Sequence, residues 1–421
     1  MPYIISQATL IQKENSLHNS KVDILIEKGI IKKIAKKIVE SDATEIKGDN
    51  LHVSSGWIDM RAGLTDPGYE HKDTINNLLD TAAFGGFTSI LTLPNTKPSI
   101  SDKSSISYLI NSSKNHLVNI MPTGVIEDPS SKNNLAEMFD MHKSGAIAFT
   151  NGDEEVSNGL LKKALLYTKP FNGTIITHPS DKSLEHGGEV HESSVMVNTG
   201  LKMSPSISEY ISLNEQVEVA KYCNAKIHFS CISTAESVEI IRQAKDSGQQ
   251  VTCDVSILNL CFTDEELLEF NENFKVYPPL RSESDRIALV QGIIDGTIDA
   301  ISSNHSPQNI ESKAVEFDYA EAGVLCQQFV FSWYTKYLSE DIPIDIFISC
   351  LTERPSSVLN QSLDTVEEGL EANLTIFDSN KIWQLNQSNN TSKSTNTHEW
   401  EKEQKGKVVG VFSNNCVKLY K

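Results

Sequence analysis

Imidazole, thiol and carboxylate side chains can hold a metal ion or carry a proton, and four short segments carry such groups beside apolar runs. They are Asp153 in Phe149-Thr150-Asn151-Gly152-Asp153, His178 in Thr177-His178-Pro179-Ser180-Asp181, Cys231 in Ile227-His228-Phe229-Ser230-Cys231-Ile232-Ser233-Thr234, and His305 in Asn304-His305-Ser306-Pro307-Gln308. Zinc takes nitrogen, sulfur and carboxylate donors, usually about four at once, so a single one of these holds it weakly. Taken alone, His178 reads as a hydrogen-bonded residue at a strand end, Asp153 as a turn residue and Cys231 as a small buried side chain. The seven cysteines are odd in number, scattered and without a C-x-x-C pair. They read as reduced cytosolic thiols, not as a disulfide framework or a zinc knuckle.

The elements that must position these groups alternate. Between about residues 56 and 360, apolar runs at 88–93, 118–121, 146–149, 174–177, 226–229, 250–253 and 300–302 are separated by amphipathic stretches such as 212–222 and 233–247. Alternation of this kind predicts parallel β/α units, and about eight of them predict a closed (β/α)8 TIM barrel. Both chain ends read differently. Tyr3-Ile4-Ile5, 22–26 and 30–31 are short strands with a turn at Glu27-Lys28-Gly29, and 373–377 and 407–412 are strands with a turn at Asn414-Asn415. We therefore expect a composite β-domain, a small β-sandwich, from residues 1–55 plus 362–421, and a barrel over 56–361. The Asn/Ser/Thr-rich stretch 386–397 reads as an exposed loop.

Composition narrows the function. At 421 residues, with 39% hydrophobic and 22% charged side chains, the chain can bury one large domain and one smaller one. It contains no 18-residue apolar run, and its start lacks a basic segment followed by an apolar one, so membrane insertion and secretion are not expected and a cytoplasmic location is. A net charge of −19 disfavours nucleic acid and anionic membranes, which need a basic footprint.

Several motifs resemble those of dihydroorotases. Gly56-Trp57-Ile58-Asp59-Met60 with Leu64-Thr65-Asp66-Pro67-Gly68 is similar to the family's signature region, and Gly85-Gly86-Phe87-Thr88-Ser89 leads to Leu93-Pro94-Asn95-Thr96 as it does there. Ile232-Ser233-Thr234-Ala235-Glu236-Ser237, Pro278-Pro279-Leu280-Arg281, Asn304-His305-Ser306-Pro307 and 368–374 follow in the family's order along nearly the whole chain. The resemblance implies a metal-dependent barrel and the reversible cyclisation of N-carbamoyl-L-aspartate to dihydroorotate in pyrimidine biosynthesis. There a metal-activated hydroxide attacks the ring amide and an aspartate moves the proton.

Position by position, the groups that would perform this chemistry are replaced. Where the family has H-x-H, this chain has Arg61-Ala62-Gly63; a guanidinium cannot ligate a cation and glycine offers no side chain. Arg61 reads either as a strand end without a role or as a fixed positive charge standing in for the ion, and a guanidinium turned to solvent would exclude the second. Asn151 and Gly152 align with the family's acidic ligand, Asp153 being displaced by one residue. Cys231 aligns with a ligand histidine, His228 with a non-ligating one, and His178 is the ligand retained. Asn304 stands at the catalytic aspartate and has no proton to exchange near neutral pH. Thr65 takes the place of the carboxylate-clamping arginine, Tyr277 that of an asparagine, and Asn95 matches a retained substrate-contacting asparagine. Cys326 and Gln328 replace a glycine and a glutamate.

The reading is a degenerate dihydroorotase, a pseudoenzyme with no cofactor expected. By resemblance to family members lacking metal ligands, it is expected to pair with aspartate carbamoyltransferase as a structural or regulatory partner and to form a homo-oligomer. The alternative is an active cyclic amidohydrolase with zinc held by an unusual set drawn from Asp153, His178, Cys231 and His305.

Overall fold

A computed structural model describes residues 2–420. Strands from the two chain ends form one continuous, mostly antiparallel sheet. Its order runs Cys416–Leu419, Glu403–Ser413, Leu374–Gln384, Leu51–Ser55, Tyr3–Leu10, Lys21–Glu27, Ile30–Ala35, with Thr44–Ile46 parallel to Tyr3–Leu10. The join lies where Ser55 faces Leu374 and Val53 faces Ile376. Both hairpin turns have two left-handed residues, Lys28 and Gly29 (φ 50° and 75°) and Asn414 and Asn415 (φ 52° and 58°). That conformation matches the twist of the flanking strands, and glycine and asparagine tolerate it.

Between these ends lies an eight-stranded parallel barrel: β1 (Trp57–Ala62), β2 (Phe87–Thr92), β3 (Asn119–Gly124), β4 (Ala148–Phe149), β5 (Thr174–Thr177), β6 (Ile227–Phe229), β7 (Val251–Ser256) and β8 (Ala300–Ser302). It closes where Ala62 bridges His305 and the Gly63 amide donates to the His305 carbonyl at 2.7 Å. Helices α1 (Ile75–Gly85), α2 (Lys103–Ser113), α3 (Asn158–Thr168), α4 (Ile207–Cys223), α5 (Ala235–Asp246) and α6 (Glu283–Asp295) return the chain between strands. Ile58, Met60, Leu91, Met121, Ala148, Ile176 and Ala300 pack together with Val358 and Leu359, which come from the end of α7 (Glu353–Val358). The lower half of the barrel is thus a filled apolar core, and function is left to the opposite, C-terminal mouth.

The motifs that read as scaffold meet at one buried carboxylate. Glu209 on α4 accepts from the Ser233 and Thr234 amides (2.8 and 3.1 Å), from the Thr234 and Ser237 hydroxyls (3.1 and 2.7 Å) and from the Ser233 hydroxyl. Arg281, from the Pro-Pro-Leu-Arg run, donates to the Ser233 hydroxyl at 3.0 Å and lies 3.8 Å from Glu209. Thr234 also caps α5, accepting from the Ser237 amide.

The 386–397 stretch forms no helix or strand, yet it is not the exposed loop its composition suggests. Ser392, Ser394, Asn396 and Thr397 are buried. The Ser392 hydroxyl donates to Asp73 at 2.5 Å, and Ser394 donates to the Lys72 carbonyl at 3.0 Å. Asn396 donates to the carbonyls of Ser306 and Gly323 at 3.3 and 3.2 Å. Short polar side chains satisfy backbone groups as well as water does, so composition cannot separate a solvated loop from a strap tied to the barrel loops.

Candidate functional site: the barrel mouth

The mouth is built around Arg61. Pairing of β1 with β2 sets Asp59 opposite Ile90 and Ala62 opposite Thr92, three steps against two. Such a bulge breaks the alternation of faces. Met60 can therefore join the interior apolar cluster while its neighbour Arg61 also reaches into the lumen. The Arg61 side chain is only 2% exposed. Its Nη2 pairs with Asp153, its Nε donates to Asn304 Oδ1 at 3.0 Å, and its Nη1 lies 3.5 Å from the Ser230 hydroxyl. One guanidinium therefore links the segments that follow β4, β6 and β8. The guanidinium is not turned to solvent, the one arrangement that would exclude Arg61 as a fixed positive charge. Burial opposes its charge, but the carboxylates of Asp153 and Asp254 more than offset this and raise its pKa above the ordinary arginine value.

The other positions singled out in the sequence have structural partners. Gly63 lies where the barrel seam closes, and a Cβ there would meet the His305 carbonyl at 2.9 Å. Asn151 accepts from the Ile126 and Glu127 amides at 3.0 and 3.1 Å, fastening the loop after β3. Gly152 has φ +65°, and a Cβ on it would lie 1.8 Å from Asn95 Oδ1. Asn95 itself donates to the Asn151 carbonyl at 3.1 Å, and Thr65 donates to the Asp73 carbonyl at 2.8 Å. Asn304, in the left-handed region at φ 54°, donates its amide to the Tyr277 carbonyl at 2.9 Å while accepting from Arg61.

Cys231 and the histidines are similarly engaged. The Cys231 amide donates to Asp254 Oδ1 at 3.1 Å, and burial together with that carboxylate pushes its thiol pKa up. Asp254 also accepts from Ser302 at 2.6 Å and pairs with His228 at 2.9 Å. Burial alone would raise the Asp254 pKa; the bonds and charge of His228 bring it below the usual value. His178 Nδ1 donates to the Ser230 carbonyl at 3.0 Å, and burial beside Arg61 holds its pKa down. His305 Nδ1 accepts from the Cys326 and Gln327 amides at 3.2 and 3.4 Å, and burial lowers its pKa to about 3. The Cys326 thiol donates to the Ser303 carbonyl at 3.0 Å.

Tyr277 covers this layer. Its ring centroid lies 4.9 Å from that of His178. Its hydroxyl accepts from Lys182 Nζ at 2.6 Å and donates to Glu185 at 3.3 Å. Burial pushes the phenol pKa up to about 12. The cavity left between Asp153, Tyr277, Asn304 and His305 measures about 80 Å³. That is room for a few waters and far below the ~300 Å³ of an ordinary ligand pocket.

These donors do not fit a divalent ion. A guanidinium sits among them, Gly63 and Gly152 contribute nothing, the Cys231 thiol is held protonated, and among the described residues no three His, Cys, Asp or Glu side chains form a group that could hold a metal ion. Ser230, Asp254, Lys182 and Glu185 take part in this layer without a sequence signal of their own; only the fold brings them here.

A family model described as dihydro-orotase-like matches residues 51–237. The dihydroorotase of Caldicellulosiruptor saccharolyticus is 36% identical over 91% of this chain and 91% of its own. That of Aquifex aeolicus is 34% identical over 96% of both. Among solved structures, an L-hydantoinase (dihydropyrimidinase) from Arthrobacter aurescens superposes with a TM-score of 0.86 at 19% identity, covering 100% of this chain and 97% of that one. At that identity the likeness speaks for the fold alone.

Proposed function

This chain belongs to the dihydroorotase-like family of cyclic amidohydrolases, and we propose that it is a non-catalytic member acting as a structural or regulatory partner of aspartate carbamoyltransferase. The observation that carries the loss of catalysis is the Arg61 guanidinium held between Asp153, Asn304 and Ser230. A fixed cation in the mouth repels a metal ion. The residue placed to exchange the reaction's proton is an amide that does not titrate. The cavity under Tyr277, beside Asn304, measures about 80 Å³. Metal grip and proton transfer are thereby opposed by separate residues.

The partner role rests on resemblance to family members that have lost their metal ligands. What supports it here is a retained scaffold, the Glu209 hub and the barrel seam, beneath a lost chemical layer. Selection on a surface or a shape preserves the first without the second.

The test has two arms. Protein purified without chelators is assayed for bound zinc and for ring closure of N-carbamoyl-L-aspartate, and tagged protein is used to capture aspartate carbamoyltransferase and measure its activity. No turnover, together with capture and altered transferase activity, is expected. About one zinc per chain with ring closure would overturn the loss of catalysis; failure of both capture and activity change would overturn the partner.

A further inference from the structure

The opposite end of the barrel also holds a cavity, of about 300 Å³. It opens at the N-terminal ends of β5 to β8 and is lined there by Thr174, Lys226, Gln250 and Asp299, with Arg354 of α7 and Asn360 on its outer wall. Ile227, Val251 and Val358 give it an apolar side.

Its charge is unbalanced. Asp299 is already neutralised: Lys245 reaches both of its oxygens at 2.8 Å, and the Cys253 amide donates to it at 2.9 Å. The two cations lining the cavity have no such partner. Lys226 Nζ donates to Asn360 Oδ1 at 2.5 Å and makes no ion pair among the described residues. Burial without a counter-charge holds its pKa below the usual lysine value. Arg354 Nη1 donates to the Ile293 and Ile298 carbonyls at 3.4 and 3.3 Å and to Cys350 Sγ at 3.3 Å. Glu353 precedes it in sequence but forms no ion pair with it among the described residues. In a chain of net charge −19, two half-buried cations facing one cavity stand out.

A half-buried cation is stabilised by an anion that brings its own acceptors. The Thr174 hydroxyl accepts from Asn360 Nδ2 at 3.2 Å, which leaves its hydrogen free to donate into the cavity.

We propose that this N-terminal-face cavity is a binding site for a small oxyanion-bearing molecule, its carboxylate or phosphate group held by Lys226 and Arg354 and its compact body set against Ile227, Val251 and Val358. Chemistry in barrels of this kind is placed at the other face, so the site binds without catalysing. Its distance from the mouth also makes it independent of whether the mouth is active.

Calorimetric titration of the full chain at constant ionic strength, with inorganic phosphate in one arm and succinate in the other, tests this and tells the two anion chemistries apart. Saturable binding of at least one probe below about 10 mM is expected. Lys226→Gln and Arg354→Gln should each weaken it about tenfold or more, Lys226→Arg should retain it, and Lys103→Gln, the same charge change on exposed α2, should leave it unaltered. Without any variant, a saturating probe should protect Lys226 from acetylation, read by mass spectrometry. Absence of saturable heat with both probes, equal behaviour of Lys226→Gln and Lys103→Gln, or unchanged Lys226 reactivity would overturn the proposal.

Discussion

Arg61 Nε donates to Asn304 Oδ1 at 3.0 Å at the barrel mouth, tying the end of the first strand to the turn that follows the last. The two side chains therefore act as one unit. An asparagine oxygen accepts from the guanidinium, while its amide is free to hold the Tyr277 carbonyl. A carboxylate at this position would have had no hydrogen to give that carbonyl.

The Arg61–Asp153 pair should show an asymmetric double-mutant cycle. Asp153→Ala leaves a guanidinium that is only 2% exposed without its nearest carboxylate; because Asp153 is itself 48% exposed, the expected destabilisation is about 1–2 kcal/mol. Arg61→Met in the same background removes the stranded charge and should recover most of that loss. Urea unfolding midpoints of the two single variants and the double variant measure it. A double variant no more stable than Asp153→Ala would refute the charge account.

A carboxylate at position 304 should not by itself support turnover. In Asn304→Asp the new group lies beside Arg61, stays ionised and forms an ion pair where a proton carrier is needed. The expected result is no ring closure, the ion pair gained with Arg61 being offset in stability by the lost bond to the Tyr277 carbonyl. Measurable dihydroorotate formation by this single variant would show that Arg61 does not block the chemistry.

Glu209 should prove more important to stability than any residue of the mouth. Glu209→Gln keeps the shape but loses a charge serving two amides and three hydroxyls beside Arg281, and a cost of about 3 kcal/mol is expected. A thermal midpoint within a degree or so of the parent would mean that the cluster is held by packing instead.

His305 gives a pH signature. Its folded pKa of about 3 lies below the ordinary 6.5, so between these values the unfolded chain binds more protons. The stability this neutral imidazole contributes is fully present above about 6.5 and is lost as pH falls toward 3. His305→Asn keeps an acceptor for the Cys326 and Gln327 amides without the titration, so the parent should lose more stability than the variant over this window. Parallel stability profiles between pH 7 and pH 4 would contradict the assignment.

Local patterns and motif order were enough to read the barrel and both hairpin turns, and they singled out Arg61 and Asn304 as residues that cannot ligate a metal or exchange a proton. Each rests on nearest-neighbour physics: the alternation of apolar runs and helices, asparagine and glycine in left-handed turns, and side chains that cannot ligate whatever surrounds them. The strap at 386–397 was misread as exposed because serine and asparagine bond water and backbone equally well, and only the approach of Asp73, Ser306 and Gly323 decides between them.

Arg61 marks the same boundary. That it cannot hold a metal follows from its chemistry alone. That its guanidinium turns inward and joins Asp153, Ser230 and Asn304, residues 92, 169 and 243 positions away, depends on a bulge in β1 and on closure of the barrel. Glu209, Asp254 and the cavity beside Lys226 and Arg354 were invisible for the same reason: their roles are set by partners brought close only when eight strands close into one sheet.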